Sequence, residues 1–298
     1  MKVVVTGSDS FLAYHLISAL LKRGCKVLGC DLEKGKNTYD LLQSQKDFVF
    51  HQCDISNFKQ VEKIVKDIDY IYHLAAISSE RLCRQEPMRA FEINIKGAIN
   101  LLVANKDKNA AFIFTSSGSV YPDSSKPKKE EEAGFSGKFY GTSKLVAEEY
   151  ARLFSKSSDF PLTILRFSRL YGPRMKRNPI YDMTKGLVAK DKILLYEGLE
   201  SNYDFIYVKD VVQALLGAMD NKGRNDVFNI SSSCGIKLKK LLALYFKVVG
   251  FKVPVFVKRE VSQTDILDNN KALKFGFKPQ TQLEEGLKET FSYFAREN

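Results

Sequence analysis

Short apolar runs alternate along this chain with longer stretches in which apolar residues return every three or four positions. Residues 2–6 (Lys-Val-Val-Val-Thr) predict a buried strand, and the spacing from Phe11 to Lys22 predicts a helix that stops at Gly24. A second strand over 26–30 closes on Asp31, and a third over 48–53 ends in Cys53-Asp54. The alternation continues as helix 58–67, strand 70–74 running into Ala75-Ala76, helix 88–104 with Asn94 and Gly97, and strand 111–115 running into Ser116-Ser117. Residues 121–138 read as a loop whose charged run, Lys128 to Glu132, is solvated; helix 139–157 and strand 162–166 follow. Strands that alternate with helices, without hairpin signals, predict an α/β fold with a doubly wound parallel sheet. Ligands of such sheets bind at the carboxyl ends of the strands, where Asp54, Ala75 and Ser117 fall.

After Tyr171-Gly172-Pro173-Arg174 the pattern loses its regularity. A short helix (180–189), a strand (193–196), a helix over 206–220 started by Asp210, strand 227–230, helix 237–249, strand 253–257 and an amphipathic helix 283–296 are expected. The expected organisation is a dinucleotide-binding domain over 1–171, completed by about 206–230, and a smaller substrate lobe built from 172–205 and 231–298.

Composition narrows the class. The chain has 298 residues, 44% of them hydrophobic, enough for one large α/β domain with a lobe. No apolar stretch would span a bilayer, and Met1-Lys2 leads straight into a strand, so a cytoplasmic protein without a membrane partner is expected. The five cysteines form no C-x-x-C pair and their odd number argues against a disulfide framework, while the three histidines are too scattered to suggest a metal site. The net charge of +11 has three readings: a nucleic-acid surface, attraction of a small anionic ligand such as a diphosphate, or a solvated lysine-rich surface. The basic residues are dispersed and no nucleic-acid motif occurs, so nucleic acid is not an expected partner.

Two local patterns carry chemistry. The first strand, first helix and second strand form a β-α-β unit with an acid, Asp31, after its second strand. A dinucleotide pyrophosphate fits the helix N-terminus, and Asp31 fits the adenosine ribose hydroxyls, favouring NAD over a 2′-phosphorylated cofactor. Asp31 also reads as a simple turn former, and Lys34 and Lys36 lie close enough to soften the preference. The glycine fingerprint is incomplete: Gly7 keeps the tight turn, but Ser10 and Ala13 stand where two further glycines are expected. The second pattern is Tyr140-Gly141-Thr142-Ser143-Lys144. Tyrosine and lysine four apart share a helix face, and an ammonium beside a phenol favours the phenolate, a base near neutral pH.

Taken with His73-Leu74-Ala75-Ala76, Asn94-Ile95-Lys96-Gly97, Ser116-Ser117 with Val120-Tyr121, Tyr171-Gly172-Pro173-Arg174 and Asp204-Phe205-Ile206-Tyr207-Val208 with Asp210, the chain resembles the extended short-chain dehydrogenase/reductases. The resemblance is to their NAD-dependent epimerase/dehydratase family, which acts on nucleotide sugars, and it spans nearly the whole length. It implies a Rossmann fold, NAD as cofactor, a nucleotide-diphosphate sugar as substrate and a homodimer formed through helices 88–104 and 139–157. By the same resemblance Tyr140 is the catalytic base, Lys144 binds the nicotinamide ribose and lowers the tyrosine pKa, and Ser117 hydrogen-bonds the reacting sugar oxygen. Gly7, Ser10, Phe11 and Leu12 line the pyrophosphate, Asp54 and Ile55 contact adenine, and Leu74, Ala75 and Ala76 pass beneath the cofactor. Ser79, Ser117, Arg169, Arg174, Asn178 and Tyr203 are the expected substrate-binding residues.

The first oxidation, at C4 of the sugar, leads to several outcomes. A 4-epimerase returns the hydride to the other face of a 4-keto sugar; a 4-dehydrogenase or 4-ketoreductase exchanges its cofactor instead. The 4,6-dehydratase needs an acid/base pair directly after Ser117, where this chain has Gly118-Ser119, and is disfavoured. A cofactor-binding regulator without turnover is a reading of another class, against which the intact Ser117, Tyr140 and Lys144 argue. The epimerase is the expected activity. Three departures concern the sugar side: Tyr203 where an arginine precedes Asp-Phe in the family, Arg169 in place of an asparagine, and Pro122 in place of a glycine.

Overall fold

Val3, Val4 and Val5 have no exposure to solvent, because the strand they form runs through the middle of the main sheet. The computed structural model describes residues 1–35, 38–220, 225–260 and 262–297, so Lys36, one of the two lysines expected beside Asp31, lies outside the described residues. The chain runs β1 (Lys2–Thr6), α1 (Phe11–Lys22), β2 (Lys26–Asp31), α2 (Tyr39–Leu42), β3 (Phe48–Gln52), α3 (Phe58–Ile64), β4 (Tyr70–His73), α4 (Glu80–Gln85), α5 (Pro87–Ala90), a π-helical turn (Phe91–Lys96), α6 (Gly97–Asn105), β5 (Ala111–Ser117), α7 (Phe139–Ser158) and β6 (Leu162–Phe167). It continues through β7 (Arg169–Tyr171), α8 (Pro179–Val188), β8 (Ile193–Leu195), β9 (Asn202–Tyr207), α9 (Val208–Asp220), β10 (Asp226–Ile230), β11 (Gly235–Lys237), α10 (Leu238–Val249), β12 (Val255–Val257), β13 (Thr264–Asp265), α11 (Asn270–Lys274) and α12 (Leu283–Glu297).

The seven-stranded sheet has the order β10-β6-β5-β4-β1-β2-β3, with β1–β2, β2–β3, β1–β4 and β4–β5 parallel. The fold is the expected doubly wound Rossmann sheet. The winding changes direction between β1 and β4, and it is at the carboxyl ends of strands at such a switch point that sheets of this kind bind ligands. Phe112, Phe114, Ile164, Leu101, Leu102 and Ala147 pack on one side of the sheet with Val4 and Ile71 in a dry core. The chain divides into two compact units, one of 1–122, 130–166 and 212–228, the other of 123–129, 167–211 and 229–298.

In the second unit β9 pairs with β11, β13 and β7, and a separate parallel pair joins β12 to β8. Its anchor is Asp204, which is fully buried. Its carboxylate accepts from the Ser232 hydroxyl (2.6 Å), the amides of Ser232 (3.0 Å), Ser233 (3.2 Å) and Leu267 (3.4 Å), and the Ser168 hydroxyl (3.3 Å). These donors replace the water that the carboxylate loses on burial.

Three expectations are corrected. The helix expected over 206–220 begins at Val208, since Ile206 and Tyr207 complete β9. Tyr203 to Tyr207 are buried on both faces of that strand, so the polar–apolar alternation that marks a strand is missing. The single helix over 88–104 is α5, a π-helical turn and α6 in succession. The extra residue of the π turn lets Asn94 point inward, where it is fully buried. Lys128 is not a solvated member of its charge run: it is 2% exposed and its ammonium lies 2.8 Å from Asp265.

Within the first unit a buried ion pair joins β6 to α7. Arg166 donates to Glu148 through Nε (3.0 Å) and Nη2 (2.6 Å), and through Nη1 to the Tyr121 hydroxyl (2.9 Å) and the Glu130 carbonyl (2.7 Å). Burial opposes the charge on Arg166, but the hydrogen-bonded Glu148 carboxylate outweighs it and holds the guanidinium more firmly protonated than usual. Removing one partner leaves the other charged and dry. Glu148→Ala is therefore expected to cost about 3–5 kcal/mol in urea unfolding, and the double variant Glu148→Leu/Arg166→Met less than that. A single variant within about 0.5 kcal/mol of wild type would contradict this account.

Candidate active site

At the end of β1 the chain must turn without touching β4. Gly7 has φ +67°, and a Cβ there would stand 2.7 Å from the Ala75 amide nitrogen, so a side chain is barred both by conformation and by space. The turn delivers the chain to the N-terminus of α1, whose unpaired amides suit an anionic pyrophosphate. Ser10 is the N-cap residue, with φ −78° and its hydroxyl accepting from the Ala13 amide at 3.3 Å. The serine side chain is thus turned onto the helix's own first turn. Ala13 has no exposed surface and fills the place of the other missing glycine by packing inward. Phe11 and Leu12 open the helix.

The other strand ends contribute in turn. Asp31 closes β2, its carboxylate accepting from the amides of Asp9 (2.9 Å) and Leu32 (2.8 Å). Burial raises the Asp31 pKa, with those two amides pulling against it. Lys34 reaches over the ring of Tyr39, 4.7 Å from its centroid. Asp54, beyond β3, accepts from the Ser56 amide at 2.9 Å, and Ile55 is packed beneath α6 so closely that a Cβ at Gly97 would meet its Cδ1 at 2.6 Å. Beyond β4, the Leu74 amide bonds to the Thr6 carbonyl (3.3 Å) and the Ala75 amide to the Thr6 hydroxyl (3.3 Å); Ala76 follows, half-buried. The glycine approach, the open helix terminus and the strand-end carboxylate together fit a dinucleotide.

Tyr140 and Lys144 stand one turn apart in α7, which packs on β5, whose last residue is Ser117, and on the turn after it. Tyr140 is half-buried; Lys144 is 1% exposed, with its ammonium 4.1 Å from the centroid of the Phe114 ring. Burial pushes the Lys144 pKa down to about 7, partly countered by Glu148 one turn further along. His73, buried nearby, is held neutral well below the usual histidine range, first by burial and then by the Lys144 charge. The Ser117 hydroxyl accepts from the Ser119 amide at 3.1 Å and lies 3.2 Å from the Ser119 hydroxyl.

The turn between Tyr140 and Lys144 is anchored by residues to which sequence reasoning gave no such role. A Cβ at Gly141 would overlap the Ser119 carbonyl, so the glycine lets α7 close on the end of β5. Ser143 accepts from the Asn94 side-chain amide at 2.9 Å, and Asn94 in turn holds the Ile77 amide (2.7 Å) and carbonyl (3.0 Å). The Glu80 carboxylate accepts from the backbone amides of Phe139 (3.2 Å) and Tyr140 (2.9 Å). These partners lie tens of residues away in sequence, and no local pattern announces them.

The expected sugar-side residues are distributed more widely. Ser79 is the N-cap of α4, its hydroxyl accepting from the Leu82 amide at 3.3 Å. In the second unit Arg169 and Tyr203 meet: the guanidinium lies 3.8 Å above the ring centroid. Glu197 (3.8 Å) and Asp265 (3.9 Å) flank that guanidinium, and the Tyr203 hydroxyl accepts from Gln263 at 2.7 Å. Burial pushes the Tyr203 phenol up to about 12 against the Arg169 charge, so it stays neutral. Arg174 (φ +73°) and Asn178 (φ +117°) hold strained backbone between β7 and α8. Asn178 uses its side chain to cap α8 through the Tyr181 amide (2.9 Å) and to donate to the Leu170 carbonyl (2.6 Å). Among the described residues no three His, Cys, Asp or Glu side chains converge on a possible metal position, and no helix is long and apolar enough to cross a membrane.

Residues 3–231 match the family model of the NAD dependent epimerase/dehydratase family. The UDP-glucuronate 4-epimerase 1 of Arabidopsis thaliana is 28% identical over 335 aligned residues, covering 99% of this chain and 76% of that protein. The UDP-glucose 4-epimerase of Thermotoga maritima, solved with UDP-glucose, superposes with a TM-score of 0.91 at 30% identity, covering 100% of this chain and 99% of that one. The UDP-glucuronic acid 4-epimerase of Bacillus cereus, solved with UDP-glucuronic acid and NAD, superposes with a TM-score of 0.91 at 26% identity over the whole of both chains. The protein is thus an enzyme belonging to the NAD-dependent epimerase/dehydratase family of extended short-chain dehydrogenase/reductases.

Proposed function

We propose that the protein is an NAD-dependent nucleotide-sugar 4-epimerase working through a 4-keto intermediate. The observation that carries this reading is the turn Tyr140–Lys144, with a buried lysine one turn from a half-buried tyrosine on a helix packed against the strand that ends in Ser117. Similarity along the whole chain to 4-epimerases of UDP-sugars supports it and favours UDP as the nucleotide.

Gly7, Ser10, Phe11 and Leu12 would hold the NAD pyrophosphate, Asp31 the adenosine ribose, Asp54 and Ile55 the adenine, and Leu74, Ala75 and Ala76 the underside. When bound, NAD supplies the hydride acceptor and donor. Tyr140 takes the proton of the sugar C4 hydroxyl and returns one to the keto oxygen after the ring presents its other face. Lys144 stabilises the phenolate while it is charged, and Ser117 holds the reacting oxygen in line. Neither Gly118 nor Ser119 offers a carboxyl group for elimination, which separates this site from the Asp-Glu dehydratases. We assign cofactor binding to the first compact unit and sugar recognition to the second, with Arg169 stacked on Tyr203 as the cation for the diphosphate. Arg174 and Asn178 in the second unit, and Ser79 in the first, are the further residues we assign to the substrate.

The test is release and identification of the bound cofactor, followed by NMR of UDP-sugars incubated with the protein. Inversion at C4 without net cofactor change is expected, abolished in Tyr140→Phe, and Arg169→Ala should raise KM about tenfold or more. A free keto product, stoichiometric NADH or an active Tyr140→Phe variant would refute the reading.

Burial of Lys144 is a cost to stability that the chemistry requires. Unfolded, the lysine keeps its ordinary pKa of 10.5; folded, its pKa is about 7. Between those values the folded protein binds fewer protons than the unfolded chain, so stability rises with pH across that window and the penalty is full below it. Lys144→Met should therefore unfold at higher urea than wild type, by on the order of a few kcal/mol at pH 6 and by less at pH 9, while losing turnover. A variant less stable than wild type at pH 6 would contradict this.

A homodimer through α5–α6 and α7 also belongs to this proposal. Met88 (72% exposed), Phe91 (48%), Tyr150 (41%) and Leu153 (64%) are apolar and solvent-facing on that helix pair. Sedimentation equilibrium should give twice the 33.8 kDa chain mass; a monomer at micromolar concentration would remove this part of the reading.

A further inference from the structure

We propose that Glu80 is a positioning residue that sets the catalytic geometry of Tyr140; this rests on the reading of Tyr140 as the base. A helix begins with amides that have no partner in the helix itself. The residue before the first turn usually supplies an acceptor, but α7 is preceded by Lys138, whose side chain makes no capping bond. A lysine has only donors to offer. The acceptor comes instead from α4, sixty residues earlier in the chain: Glu80 Oε1 takes the Phe139 amide at 3.2 Å and Oε2 the Tyr140 amide at 2.9 Å. Both oxygens of one carboxylate are thereby used on two successive peptides, and the second is the peptide of the base.

Glu80 is itself held in place. Ser79 caps α4 directly in front of it, on the segment that leaves β4 through Leu74, Ala75 and Ala76. Arg84, one turn on, donates to Glu80 Oε1 at 3.3 Å, and its guanidinium covers the Phe139 ring at 5.6 Å. The backbone of Tyr140 is thus tied to the strand end expected to lie beneath the cofactor. The neighbouring anchors, Gly141 on Ser119 and Ser143 on Asn94, fix the rest of the turn but do not reach the Tyr140 amide. Hydrogen bonds to an ionised carboxylate are suited to this task, being roughly twice as strong as bonds between neutral groups. Glutamine at position 80 would offer one acceptor oxygen and present its amide group to the other N–H, so it satisfies half of the arrangement.

The experiment compares wild type, Glu80→Gln and Glu80→Ala in the full-length enzyme, with Tyr140→Phe alongside. Glu80→Ala is expected to lose about ten- to a hundredfold in kcat, with Glu80→Gln in between, because small displacements of a reacting group cost rate steeply. KM for the UDP-sugar and the amount of bound NAD should stay within about twofold of wild type. If Glu80→Ala fails to fold, the loss in Glu80→Gln at unchanged KM decides the matter. Wild-type kcat in the folded variants, or a loss of NAD and a rise in KM matching the loss in kcat, would overturn the assignment of Glu80 while leaving Tyr140 as base. An active Tyr140→Phe variant would overturn the reading beneath it.

Discussion

One ammonium group taken out of water governs the rest of this protein. Lys144 is almost wholly buried against Phe114, at a cost in stability, and stands one turn from Tyr140. Such a group stays where it is only if the helix carrying it cannot move. The packing of α7 supplies that rigidity: Ala147 and Ala151 sit in the core, and the Glu148–Arg166 pair joins α7 to β6. Because Glu148 is saturated by Arg166, it offsets only part of the burial of Lys144, whose charge is therefore poised near neutrality.

The same rigidity explains the loops. The turn from Tyr140 to Lys144 is held by Glu80 of α4, Asn94 of the π-helical turn and Ser119 just beyond β5, so the candidate base is referenced to the segments that follow β4 and β5. Gly7 does the corresponding work for β1, letting its end pass within contact of Ala75. The doubly wound sheet brings these termini to one edge, and the side-chain anchors turn that coincidence of topology into a defined geometry.

Much of this was legible in the chain. Apolar runs marked the inner strands of the main sheet, β1, β4, β5 and β6, because they are covered on both faces and read as near-continuous hydrophobic segments, whereas the edge strand β3 is largely exposed. Tyr140, Lys144, Ser117 and Asp31 stand out as candidates because the roles proposed for them depend on local spacing or on the position after a strand. Glu80 was hidden because its partners are sixty residues away. The true start of α9 was hidden because β9 is buried on both sides and shows no alternation. Ser10 and Ala13 read as departures from a glycine pattern; in the structure Ser10 caps α1 through the Ala13 amide and Ala13 packs inward. Arg169 and Tyr203 were legible as separate oddities and turn out to be one stacked pair.

The central claim is that hydrogen leaves C4 and returns to it without escaping the site. It is tested most directly with a UDP-sugar carrying deuterium at C4, converted by the enzyme in ordinary water and analysed by NMR. Full retention of deuterium at C4 in the inverted sugar is the predicted result. Loss of the label to solvent, or its appearance in released NADH, would contradict the account.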